Sequence, residues 1–401
     1  MLTSAATAAE PEKPHPDAAR LGKLIGVAAG AKLQDGKFDE TTRRQLAAVL
    51  DELTDKELRK DVEKLLPALE LAAQRCSRDR ALLAEIKRLG GKATVEVVAP
   101  ERLRSIVGDE SLAIFSRIVE IELNERTDGH KEPEPRKPED RVTDDWLKNL
   151  KDQDLLRRLE VSGTAVTSAG LVQLKDLKNL ERLNVCLTSV DDRGFENLAG
   201  LVKMRRMVVC SSKITGTGFR HLEGMKQLES INLHSSPASD AGLEAIGKLT
   251  SLKRLEIVHT QVTDDGLKHL AALTNLEQLH VHGPKVTAKG LPFLGNLKEL
   301  YQLDVYDQAA SNETLEQIAK LPKLRLLTLP NGIHDDDGVK CLAKVATLEE
   351  LSMDSNKVTD ASIESLGVLK NLRALHLERT HITDAGREKL RGLLPKATIT
   401  P

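Results

Sequence analysis

One number constrains this chain more than any other: a 24-residue period. The segment from Leu252 reads LKRLEIVHTQVTDDGLKHLAALTN and the one from Leu276 reads LEQLHVHGPKVTAKGLPFLGNLKE, each 24 residues long. The same frame opens at Leu156, Leu180, Met204, Leu228, Leu252, Leu276, Leu300, Leu324, Leu348 and Leu372 without a slip. A unit this short cannot bury its own apolar side. Consecutive units must therefore stack, so that each covers its neighbour and a continuous core runs through the array.

Each unit has two halves. The first, as in Leu252, Leu255 and Ile257, alternates with period two and predicts a short parallel strand. The second, as in Leu267, Leu270 and Leu273, is apolar every third residue and predicts a short helix or 3-10 turn with one face inward. Thr263 or Asp264 is placed to cap that turn, and Gly266 lets it pack close to its neighbour. An eleventh, imperfect unit starts at Ile118, continues through Ile121 and Leu123, and resumes at Val142-Thr143-Asp144-Asp145. Its interruption at 125–140 is dense in charge and proline and predicts a mobile insertion loop.

The units IEIELN, RLEVSGTAVTSAGL and ALHLERTHITDAGR resemble the leucine-rich repeats of bacterial proteins of the planctomycete type, over roughly residues 118–394. The resemblance implies an α/β solenoid: a curved parallel sheet on one side, helices and 3-10 turns on the convex side. It also implies that Ile86–Val95 forms a helix and capping strand ahead of the array. It says little about ligands, because one fold hosts many partners.

The expected organisation is a disordered stretch at 1–16, a helical region at 17–90, an N-terminal cap at 91–117, the solenoid at 118–395 and a tail at 396–401. In the helical region, LGKLIGVAAGAKL, TRRQLAAVLDEL, ELRKDVEKLLPALELAAQR and SRDRALLAEIKRL carry helical apolar spacing, with Asp39, Thr54 and Ser77 as N-caps and Gly90-Gly91 as the stop. The region reads as a helical cap or as a separate partner-binding module.

Composition excludes several functions. Fifty-nine basic against 61 acidic residues give no cationic excess for nucleic acid. No segment is long and apolar enough to span a bilayer. Phosphate-loop, zinc-protease and nucleophile-elbow signatures are missing, so neither catalysis nor a cofactor is expected. Five Phe, two Tyr and one Trp are too few for a sugar-stacking platform. Cys76, Cys186, Cys210 and Cys341 are far apart and predict free thiols. Cys186 and Cys210 become lateral neighbours on adjacent strands, yet parallel Cβ vectors argue against a bond. The small-residue run Thr3–Ala9 followed by Glu10-Pro11-Glu12-Lys13-Pro14 leaves export and a cytoplasmic location equally open.

Strand alternation turns the sequence into a surface map, since residues 24 apart lie about 4.8 Å apart on neighbouring strands. The third column of the open face begins Arg158, Arg182, Arg206, a basic stripe. Further along, His234, His259, His280, His282, Asp304, Tyr306 and Asp307 cluster near the middle. These residues, centred on His280, His282, Asp304 and Tyr306, are the candidate site for a protein or peptide partner. Alternatives are a plain solvated surface, or metal sets from His280, His282 and Asp304 or from Cys210 and His234. The expected function is a non-enzymatic binding scaffold; the alternative is a substrate-recognition subunit, like a ubiquitin-ligase receptor, whose N-terminal helices recruit an enzyme.

Overall fold

The computed structural model describes residues 15–125, 137, 141–287, 289–305, 312–329 and 334–400. Nearly all of the expected disordered N-terminus and of the 125–140 insertion therefore lies outside the described residues. The chain divides into two units, Met1–Ile121 and Glu122–Pro401.

In the first unit, α1 (Ala18–Ala29) buries Leu21, Leu24, Ile25 and Ala28, one helical stripe. Sequence periodicity carried this helix through Leu33. It stops instead before a hairpin of β1 (Leu33–Gln34) and β2 (Lys37–Phe38). The turn residues are Asp35 and Gly36, at φ of 50° and 76°, the left-handed pair that an Asp-Gly turn supplies. Asp39 caps α2 (Glu40–Asp51) by accepting from the Thr42 N–H at 2.7 Å.

The next helix corrects two expected caps. Lys56–Arg88 is one 33-residue helix, α3, with Ser77 in its interior and Asp55 as its N-cap. Nothing between residues 70 and 85 breaks a helix, and a buried row from Leu58 through Ile86, apolar except for Asp79, runs along it. Thr54 serves elsewhere: its N–H and hydroxyl both donate to the buried carboxylate of Asp17. Burial alone would raise the Asp17 pKa. The N–H groups of Asp55 and Thr54, Arg20 and the Thr54 hydroxyl outweigh it and hold the carboxyl well below the usual range. The helix ends at Gly90 (φ 76°), after which the Gly91 N–H reaches back to the Ile86 carbonyl. Then follow β3 (Lys92–Val97), where the resemblance places a capping strand, α4 (Glu101–Val107) and β4 (Ser116–Glu122). Asp79 of α3 and Arg117 of β4 form a buried ion pair.

Among its described residues, the second unit holds eleven strands: β5 (Arg158–Glu160), β6 (Arg182–Asn184), β7 (Arg206–Val208), β8 (Ser230–Asn232), β9 (Arg254–Val258), β10 (Gln278–His282), β11 (Gln302–Val305), β12 (Leu326–Thr328), β13 (Glu350–Ser352), β14 (Ala374–His376) and β15 (Thr398–Thr400). Every neighbouring pair is parallel and matches residues 24 apart, from Arg158↔Arg182 to Ala374↔Thr398. The array was expected to close at a tail over 396–401; instead Thr398–Thr400 adds one more strand in register.

Leu252, Leu255, Ile257, Leu267, Leu270 and Leu273 are fully buried, and their equivalents repeat along the array. At the turns, the threonine rather than the aspartate is the cap: Thr263 accepts from the Asp265 N–H at 3.2 Å. The aspartate reaches forward instead. Asp264 accepts the Thr287 N–H and hydroxyl, both at 2.6 Å, and Asp144, Asp192, Asp240, Asp336 and Asp360 do the same to Thr167, Thr215, Thr263, Thr359 and Thr383. Each turn is thereby stitched to the next. The following glycine is required by that approach: a Cβ at Gly290 would sit 2.6 Å from Asp264 Oδ1, and one at Gly266 would collide with Asp240 Oδ1.

Candidate functional site

On the open face, side chains from adjacent strands form lateral chains of polar contacts. Arg254 donates to Gln278, whose amide donates to Gln302 Oε1 at 2.8 Å and to the Tyr301 hydroxyl at 2.6 Å. Gln302 in turn donates to Asp304 Oδ2 at 3.1 Å, and His280 Nδ1 meets the same oxygen at 3.1 Å. Asp304 is only 7% exposed, so this chain ends on a largely desolvated carboxylate.

Between one and three residues beyond the strands, the backbone turns sharply. Leu187, Ser211, Ser235, His259, Ser355 and Arg379 all have positive φ, each at the same position of its unit. His259, at φ 55°, is thereby thrown between its lateral neighbours. His234 and His259 pack edge to face with centroids 5.4 Å apart, and His259 and His282 at 4.5 Å. Three imidazoles thus stand in one row over the ends of β8, β9 and β10.

At the other end of the face the arginine stripe is not uniform. Arg158 is held by Glu122 at 3.0 Å and Glu160 at 2.7 Å. Arg182 and Arg206 are directly opposite each other in the ladder and both exposed. With Arg158, Glu160, Asn184 and Val208 they line a depression of about 300 Å³.

The expectation of free thiols beside this depression is wrong for one pair. Cys186 and Cys210 form a disulfide, with Cα atoms 4.6 Å apart. They lie two residues beyond the laddered Asn184 and Val208. There the pleat has ended: the Cys186 N–H is taken by the Asn184 side chain at 2.9 Å, and Leu187 and Ser211 turn left-handed, so the argument from parallel Cβ vectors does not apply. Cys76 and Cys341 are free.

The sequence thus brought together His234, His259 and His282, and separately His280 and Asp304. Tyr306 and Asp307 lie outside the described residues. Among the described residues, no group of three or more His, Cys, Asp or Glu is arranged to hold a metal ion, and no helix is long and apolar enough to cross a membrane. Attention to the open face missed one histidine altogether. His334 is fully buried in a column otherwise filled by Val262, Val286, Val358 and Ile382.

A family model described as leucine-rich repeat matches residues 248–271, 346–367 and 368–390. This is a leucine-rich-repeat solenoid. No curated protein matches the chain. Among solved structures, an internalin of Listeria monocytogenes is 19% identical, covering 70% of this chain and 86% of its own at a TM-score of 0.43. An internalin C2 of the same organism is 23% identical, covering 59% and 85% at a TM-score of 0.36. A leucine-rich-repeat protein of Leptospira interrogans is 17% identical, covering 63% and 80% at a TM-score of 0.35. Likenesses this distant carry no argument about what the solenoid binds.

Proposed function

We propose that this leucine-rich-repeat solenoid is a scaffold that binds a protein or peptide on the open face of its sheet, centred on His280, His282, Asp304 and Tyr306. The observation that carries the reading is the division of labour on each strand. Inward positions are aliphatic and fully buried, while the outward ones collect imidazoles, a desolvated carboxylate and two exposed arginines. Such side chains combine ring area with hydrogen bonding, the mix that anchors interfaces. His234 and His259 extend this centre, and Arg182 and Arg206, with Arg158 beside them, form its electrostatic flank toward an acidic segment of the partner. The planctomycete-type resemblance and the Cys186–Cys210 disulfide together favour a bacterial protein working in an oxidising, extracytoplasmic setting.

The test begins with capture of a partner by the whole chain, followed by binding kinetics on surface variants. His280→Ala with His282→Ala is expected to weaken binding by at least about tenfold, the scale of one or two lost interface anchors. Arg182→Glu with Arg206→Glu is expected to slow association more than it speeds dissociation. If both pairs leave affinity within about twofold of the wild type, the partner docks elsewhere and the reading is wrong.

A further inference from the structure

Among the described residues, the strand order of the sheet ends on β3, whose one neighbour is β4. Its outer edge carries a row of backbone N–H and C=O groups facing away from the sheet. Proteins normally blunt such edges with short strands, prolines, bulges or inward charges. The opposite edge follows that rule, since β15 has three residues. In contrast, β3 has six, Lys92-Ala93-Thr94-Val95-Glu96-Val97, with no proline or glycine. One side of the strand is apolar. Ala93 and Val97 are half-buried, but Val95 between them is 46% exposed.

We propose that this edge pairs with the same edge of a second copy of the chain, antiparallel across a two-fold axis at Thr94. The strand's own sequence selects that register. Setting Thr94 opposite Thr94 places Lys92 of each copy opposite Glu96 of the other, so both charged positions meet their opposite. It also sets Ala93 against Val95 on the apolar side, where the added strand covers the exposed valine. An axis displaced by one residue in either direction loses the charge match. A two-fold pairing closes after two copies and leaves no growing end. Strand addition of this kind draws its affinity from main-chain hydrogen bonds and its specificity from alternate side chains. Six residues a side bury less than a standard interface, so the dimer is a weak, reversible one.

Sedimentation equilibrium of the full chain over a concentration series tests this without any partner, so its outcome is independent of the open-face reading. Wild type is expected to show a reversible monomer–dimer equilibrium. Lys92→Glu, which sets glutamates against each other twice, should weaken the dimer by roughly tenfold or more, and Glu96→Lys should do likewise. The double swap Lys92→Glu with Glu96→Lys should restore it. Circular dichroism of each variant checks that the fold is intact. A monomer throughout, a dimer indifferent to the single reversals, a failure of the double swap to restore it, or open-ended polymers would each overturn the proposal.

Discussion

His334 shows what a single residue can do in a solenoid core. Its position in the unit is apolar almost everywhere else: Val142, Val166, Val190, Ile214, Val262, Val286, Val358 and Ile382 are all buried there. The His334 main-chain N–H donates to Asn356 Oδ1 at 2.8 Å, while the imidazole nitrogens have no hydrogen-bond partner among the described residues. Burial pushes its pKa down to about 4, with Asp335 pulling weakly the other way. Between pH 4 and 6.5 the unfolded chain therefore binds a proton that the folded one refuses. Stability attributable to this group is full above the unfolded value and falls as pH drops toward 4, by at most about 3 kcal/mol. His334→Val is expected to flatten that part of the stability–pH profile and to raise the denaturant midpoint near pH 5. A profile with an unchanged acid limb would show that other groups set it. The same sign holds for Asp17: its lowered pKa also makes stability fall with pH, but only in stronger acid, below the ordinary carboxylate range.

At the scale of the element, the strands were plain in the sequence because alternation and a fixed period leave one register. The turns were only half legible. Thr263 and Asp264 are both good residues for a helix start, and nothing local says which one caps. The answer depends on a neighbour 23 residues away, visible only once the units are stacked. Two other misreadings are local: periodicity splits α3 at Ser77 although no residue there breaks a helix, and carries α1 through Leu33 into the hairpin that turns at Asp35-Gly36. The hand-over from Asp240 to Thr263 yields a specific expectation. Gly266→Ala should cost about 1–3 kcal/mol, because its Cβ meets the Asp240 carboxylate. Asp240→Ala should cost a similar amount through the lost hydrogen bonds to Thr263. Since the first change harms chiefly through the carboxylate that the second removes, with a lesser contact to Val262, the double variant should cost clearly less than the sum. Strict additivity in urea unfolding would mean that the glycine is needed for another reason. Core leucines provide the reference scale: Leu255→Ala, fully buried, should cost about 2–5 kcal/mol.

Across the whole molecule, stability in such an array is a chain of nearest-neighbour contacts, and a local weakness lets the stack part at one interface. The Cys186–Cys210 disulfide acts on that weakness, because it ties the ends of β6 and β7 covalently and closes a loop of 24 residues. That link was the part of the site least accessible to sequence reading. Two cysteines one period apart reveal that they are neighbours, but whether they can bond depends on where the pleat ends. That is set by a left-handed turn at Leu187 and Ser211, which no glycine or asparagine announces. The partner stayed illegible for a related reason: outward side chains are free of the packing rules that made the inward ones periodic. Loop closure of this length is worth about 3.5 kcal/mol through the unfolded state. Cys186→Ser with Cys210→Ser is therefore expected to lower the stability of the second unit by up to that amount, and a thiol reductant should do the same to the wild type and nothing further to the variant. Thiol titration of the unreduced, denatured wild type should find two reactive groups, Cys76 and Cys341. Four thiols, or a denaturant midpoint indifferent to the reductant, would show that these two strands are held by packing alone. The bond also bears on the open face, since Arg182 and Arg206 stand on the strands it joins. Reduction should then weaken partner binding through the arginine flank, and arginine-reversed variants should no longer respond to it.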